Sequence, residues 1–164
     1  MIAIDRNKVI VTMIADLNNV PEIYWYCRKK FFNNELPDPK FSIIHSKIVL
    51  AKFNCRKAKK TDQKKGKKWK PLAYKCISIS DCFDFDRETL INIMAHEMIH
   101  YYLAEHQIKD DKSHGKEFMR MAQELNEKYG LNITETLDAS EMEVKSPKIN
   151  GAGFVGTRWL SGRK

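Results

Sequence analysis

The chain lacks a cysteine framework. Its four cysteines, Cys27, Cys55, Cys76 and Cys82, form no C-x-x-C pair. That argues against a zinc ribbon or a disulfide scaffold and fits a reducing compartment. Long apolar runs are missing too. Residues 9–15 are too few to span a bilayer, follow Asp5 and Arg6, and show no small-residue cleavage site. They read as the first packed element, helix or strand. The expectation is a cytoplasmic protein with no membrane partner. No internal repeat is visible, and 164 residues suit one domain with its own core.

Acidic residues are scarce in one segment. Between Lys52 and Lys75 stand eleven Lys and Arg against a single acid, Asp62. Taking these from totals of 29 and 21 leaves 18 basic and 20 acidic residues elsewhere, a balance of −2. The net charge of +8 is therefore a local feature. The segment lies between two strand-like runs, 48–55 with Ile48, Leu50 and Phe53, and 72–80 with Tyr74, Ile77 and Ile79. Gly66 and Pro71 suggest the long tip of a β-hairpin. Lys59, Lys60, Lys64, Lys65, Lys67, Lys68 and Lys70 could grip phosphates, and Trp69 could stack on an unpaired base. The plainer alternative is a solvated loop.

Against this background stands His96-Glu97-Met98-Ile99-His100. Histidines four apart on a helix differ in direction by about 40° and lie one turn apart, so both can face one metal ion. Glu97 stands beside that metal, where it could take a proton from water. This is the H-E-x-x-H pattern of zinc hydrolases. Residues 88–105 read as one helix, with Asp86 as N-cap and Leu90, Ile91, Met94, Met98, Tyr101 and Tyr102 on an apolar face. A pair of satisfied core histidines is the competing explanation.

A third ligand is needed. His106 has the metzincin spacing, but Leu103 occupies the position where that pattern has glycine. If the helix continues through Leu103, His106 points about 120° away from His100 and lies about 9 Å further along. His114 is the better candidate. A polar connector with a turn-like Asp110-Asp111 leads to His114-Gly115, and a second helix follows with Phe118, Met121, Ala122, Leu125 and Tyr129 at helical spacing. Gly130 closes it. A short helical hairpin can carry His114 back to the first pair. Glu117 or Glu124 remain carboxylate alternatives. For a group stabilising the reaction's oxyanion, proximity suggests Tyr101, Tyr102 and His106.

These motifs resemble the SprT-like domain family of Spartan-type proteases. Phe31-Phe32-Asn33-Asn34-Glu35-Leu36-Pro37 is similar to its helix end and N-x-x-L-P element, and Ile77-Ser78-Ile79-Ser80 to its strand before the metal helix. His96 to His100, His114 to Phe118, Leu125-Asn126 and Asn132-Ile133 continue the likeness. The resemblance implies zinc held by His96, His100 and His114, Glu97 as general base, and protein substrates associated with DNA. It tilts the lysine-rich segment towards DNA, single strands preferred.

The fold expected is α+β. A small antiparallel sheet of residues 41–44, 48–55 and 72–80 packs on helices, among them one running from Pro21 to about Asn33 and ended by Pro37 and Pro39, the H-E-x-x-H helix and a following helix. Residues 133–137 could add a strand. Residues 1–140 form the zinc metallopeptidase domain and 141–164 a flexible tail, whose Phe154, Val155, Trp159 and Leu160 could instead dock. One zinc ion per chain is expected. Two other classes stay open: a zinc-stabilised nucleic-acid-binding module without peptidase activity, and a peptidase without a nucleic-acid role.

Overall fold

The computed structural model describes residues 11–56, 74–140, 142 and 144. The lysine-rich segment from Lys59 to Lys70, with Trp69, and the tail from residue 145 onward lie outside the described residues.

Eight elements follow in order: β1 Thr12–Ile14, α1 Asn19–Phe31, β2 Lys40–Ile44, β3 Ala51–Arg56, β4 Tyr74–Ser80, β5 Asp84–Asp86, α2 Arg87–Glu105 and α3 Lys116–Tyr129. The architecture is α+β, as the pattern predicts. β1 pairs antiparallel with β5 in a two-stranded sheet that the sequence reading did not resolve. The main sheet has the order β2-β4-β3.

That sheet is mixed, where a purely antiparallel one was expected. β3 runs antiparallel to β4, but β2 runs parallel to it. Residues 45–50 cause this. They cross the end of β4 and return as β3 on its far side, held by Ser80 N–H to Leu50 O at 2.8 Å and Ser80 Oγ–H to Ser46 O at 2.6 Å. β4 therefore sits in the middle with both faces covered, and Cys76 to Ser80 are buried without alternation. Alternating hydrophobicity cannot reveal which strands become neighbours. Ile48 belongs to the crossing rather than to β3, and is 83 % exposed. Among the described residues β3 is an edge strand, and it packs on α2.

Helix α1 ends at Phe31, two residues short of the end expected near Asn33 and ahead of Pro37 and Pro39. Asn33 and Asn34 take left-handed backbone, φ 49° and 64°, which Asn tolerates better than most residues. Pro37 has a different task. Its carbonyl accepts from Tyr24 Oη at 2.6 Å on α1 and from Tyr101 Oη at 3.0 Å on α2. One backbone oxygen thus ties the two helices, and Leu36 beside it is fully buried.

The Asp86 cap is present: its carboxylate accepts from Thr89 N–H at 2.7 Å. Gly130 closes α3 in left-handed backbone at φ 67°. Residues 133–137 form no strand. They run as an irregular strap beside α2 and α3, and at its start the N–H groups of Asn132 and Ile133 are taken by side chains instead of a ladder.

Candidate metal centre

Seven consecutive residues of α2, Ile93 to Ile99, are buried. The helix is surrounded on every side, which explains why its hydrophobic pattern is broader than a single stripe. His96 and Glu97 fall inside this stretch, and His100 follows where the helix emerges. Leu103 stays helical and buried, so α2 does not turn early. His106 becomes its C-cap, with its ring 4.1 Å from that of Tyr102. Gln107, at φ 54°, makes the turn that a glycine at 103 would have made sooner.

The chain returns through Asp110, whose carboxylate accepts from the backbone N–H groups of Glu117 at 3.3 Å and Phe118 at 2.9 Å. It caps α3 from five residues ahead of the helix's own N-cap, Gly115. A Cβ on Gly115 would collide with the Asp110 and Asp111 carboxylates, so this glycine permits the close approach. The cap delivers His114 to the other two histidines.

The structure brings together His96, His100 and His114. His114 Nε2 lies 3.0 Å from His100 Nε2 and 3.1 Å from His96 Nε2. Ligand nitrogens around a tetrahedral zinc stand roughly 3.3 Å apart, so the three fit one such ion with little movement. His96 Nδ1–H donates to Thr134 O at 2.9 Å, which leaves its Nε2 lone pair facing the other rings. Burial, then the neighbouring His100 and His114, push the His96 pKa down to about 4. Burial and His114 bring His100 to about 4 as well, and burial lowers His114. All three rings are neutral at pH 7, as ligands must be. Phe118 is the floor of the cluster, its ring 4.6 to 4.8 Å from each imidazole.

Glu97 borders the same open cleft, of about 460 Å³. Burial pushes its carboxyl up to about 8, against the pull of a hydrogen bond from the Phe53 backbone N–H on β3. Ala51, Lys52 and Phe53 of that edge strand form one wall, and Thr136 and Leu137 of the strap another. Neither Glu117 nor Glu124 reaches the cleft; both pair with Arg120 on the outer face of α3. Tyr101, Tyr102 and His106 do not line it either. The Tyr101 hydroxyl is committed to Pro37, and the cleft's other polar side chains are Lys52, Ser113 and Thr136.

Sequence reasoning missed the strap. Asn126 holds it with two bonds to Ile133, Nδ2–H to O at 2.9 Å and Oδ1 from N–H at 2.8 Å. Asn92 Oδ1 accepts from Asn132 N–H at 2.9 Å. Together they present the Thr134 carbonyl to His96. The only hint in the sequence was the pair Leu125-Asn126 and Asn132-Ile133 beyond the last histidine.

No curated protein matches the chain. The SprT-like family model matches residues 21–137, from the start of α1 to the strap. That range contains the three histidines, Glu97, the edge strand and every wall of the cleft, and it is well over half of the sequence: the chain belongs to the SprT-like family.

Proposed function

We propose that this chain is a zinc-dependent endopeptidase acting on proteins associated with DNA. The observation that carries the reading is one cleft in which three imidazole nitrogens, a buried glutamate and an edge strand meet. His96, His100 and His114 would hold one zinc ion, with room for a fourth partner on the open side. A bound zinc supplies Lewis acidity, which acidifies water beside it. Glu97 accepts the proton of the attacking water and returns it to the leaving amine. Burial raises the proton affinity of the carboxylate, which strengthens it as a base, and a cation held by the three histidines would favour its ionised form. Among the described residues β3 pairs with β4 alone, and an extended substrate chain would pair along its other side through backbone hydrogen bonds. Such pairing reads few side chains, so sequence preference is weak.

The DNA part of the reading rests on the lysine-rich segment, Lys59, Lys60, Lys64, Lys65, Lys67, Lys68, Trp69 and Lys70. Its flanking strands close on the pair Arg56↔Tyr74, three residues from Phe53 in the cleft wall. Three strand residues span about 10 Å. A nucleic acid gripped by the segment would therefore bring its bound proteins close to the cleft. Among the described residues, no helix is long and apolar enough to cross a membrane.

The test is cleavage of a DNA-binding protein by zinc-loaded chain, with and without single-stranded DNA, across a salt series. Cleavage that DNA stimulates is expected. Replacing Lys64, Lys65, Lys67 and Lys68 with Gln should weaken DNA binding for all sequences alike and flatten its salt dependence. Trp69→Ala should weaken single-stranded binding more than double-stranded, since only unstacked bases offer a face. Zinc retention with no cleavage of any protein would point to a zinc-stabilised nucleic-acid-binding module instead. Cleavage indifferent to DNA, with the four-Gln variant binding like wild type, would leave a peptidase without a nucleic-acid role.

A further inference from the structure

Outside the cleft, the described residues hold one other group of side chains able to share a cation: His45, Asp81 and Cys82. Parallel pairing creates it. Ile44 stands opposite Ser80, so His45 and Asp81 leave β2 and β4 side by side. The backbone on both sides is tied down. Asp81 N–H donates to Ile44 O at 3.0 Å, and Ser80 Oγ accepts from the N–H groups of Ser46 at 3.3 Å and Cys82 at 3.2 Å.

The donor atoms converge from these fixed positions. His45 Nδ1 is 2.8 Å from Asp81 Oδ1. Cys82 Sγ is 3.4 Å from His45 Nδ1 and 3.8 Å from Asp81 Oδ1. Around a tetrahedral zinc, nitrogen, oxygen and sulfur donors stand roughly 3.3 to 3.6 Å apart, so shifts of a few tenths of an ångström suffice. The charges also match. One thiolate and one carboxylate neutralise a divalent cation, and the imidazole adds a neutral ligand. Cys82 is fully buried, whereas His45 and Asp81 are partly open to solvent, which leaves a coordination position free.

We propose that His45, Asp81 and Cys82 bind a thiophilic divalent cation of the zinc, cobalt or cadmium class, at a second site separate from the histidine cleft. On binding, the Cys82 S–H bond breaks, a sulfur–metal bond forms, and the proton goes to solvent. His45 offers the Nδ1 lone pair and keeps its proton on Nε2. The cation would link the crossing of residues 45–50 to the turn after β4. Leu50, at the end of that crossing, leads directly into Ala51 and Lys52 of the cleft wall. Sequence spacing concealed the site, because His45 and Cys82 are 37 residues apart. The cysteines, expected to hold no metal, here contribute a ligand.

Cobalt(II) titration of the metal-stripped chain under argon tests this. A thiolate ligand gives cobalt an intense near-ultraviolet charge-transfer absorption, and a site made of histidines alone cannot. The expected result is a thiolate band that saturates with a second equivalent of cobalt. It should vanish in Cys82→Ser, lose affinity at least about tenfold in His45→Ala, and persist in Cys55→Ser and in His114→Ala. Visible cobalt absorption from the three-histidine site, retained in Cys82→Ser, shows that this variant folds. Saturation at one equivalent without a thiolate band would overturn the proposal and reduce the group to an ion pair beside a thiol. A band that survives Cys82→Ser and disappears in Cys55→Ser would overturn it as well.

Discussion

Helices α2 and α3 both serve the histidine centre, and they are built differently. α2 is buried on all sides from Ile93 to Ile99, and its His96 and Glu97 lie among core residues such as Met94, Met98 and Ile99. α3 is amphipathic. It buries only Phe118, Ala122 and Leu125, spaced four and three apart, and keeps a charged outer face. The chemistry on α2 therefore shares its surroundings with the core. His114, ahead of α3, stands at the rim and is held by a cap and a loop. Changes on the α3 side should test the metal with little disturbance of the fold, while changes on α2 risk both.

The largest expected effect breaks the centre from the rim. His114→Ala should lose most of the metal, and proteolysis with it, while its circular dichroism stays native. His106→Ala should keep metal and activity, because its ring packs on Tyr102 away from the cleft. Metal analysis of both purified variants decides. An empty site in His106→Ala beside a full one in His114→Ala would refute the ligand assignment.

Glu97→Gln comes next and separates chemistry from metal on the buried helix. The amide cannot accept the water's proton, so turnover should fall about 10²- to 10⁴-fold. Metal content and melting temperature should stay near wild type, because Gln keeps the shape and can still accept from Phe53 N–H. Wild-type turnover in a clean preparation would remove Glu97 as the base.

The contrast in burial can be measured directly. Met98 is fully buried on α2, and Met119 is 42 % exposed on α3. Met98→Ala should destabilise by about 2 to 5 kcal/mol through lost contacts and a cavity. Met119→Ala should stay within about 0.5 kcal/mol of wild type. Similar midpoints in urea denaturation would show that the two helices are less different than their burial implies.

The same contrast explains what could be read from sequence. α2, its cap at Asp86 and the His96/His100 pair were legible because their signals are local and lie within a few residues of one another. His114 was reachable because one short connector separates it from α2. The parallel partner of β4 was not legible, since strand neighbours are set by the crossing at residues 45–50 and not by the pattern of either strand. The Tyr24–Pro37–Tyr101 tie was equally hidden, because it depends on a backbone oxygen that any residue carries. The strap was misread as a possible strand. At its start the N–H groups of Asn132 and Ile133 are taken by the side chains of Asn92 and Asn126 rather than by a neighbouring strand.

The smallest effect comes from that strap, on the α3 side yet acting on the buried histidine of α2. Asn126 sits near the end of α3, and its amide makes both hydrogen bonds of the Ile133 peptide group. Thr134 follows, with its carbonyl on His96 Nδ1–H. Asn126→Ala removes both bonds and frees the carbonyl to swing. His96 would then present its Nε2 less often in the ligand orientation, and metal affinity should fall about tenfold, at the lower end of what outer partners of metal-bound histidines contribute. Asn126→Asp keeps the acceptor for Ile133 N–H and loses the donor to Ile133 O, so its affinity should fall between the other two. Chelator competition gives the affinities. Proton NMR gives an independent reading, because the His96 Nδ1–H resonance should shift upfield or exchange faster when its acceptor is loosened. A melting temperature that drops in Asn126→Ala while affinity and resonance stay unchanged would make Asn126 a structural clamp only, and would confine control of His96 to α2 itself.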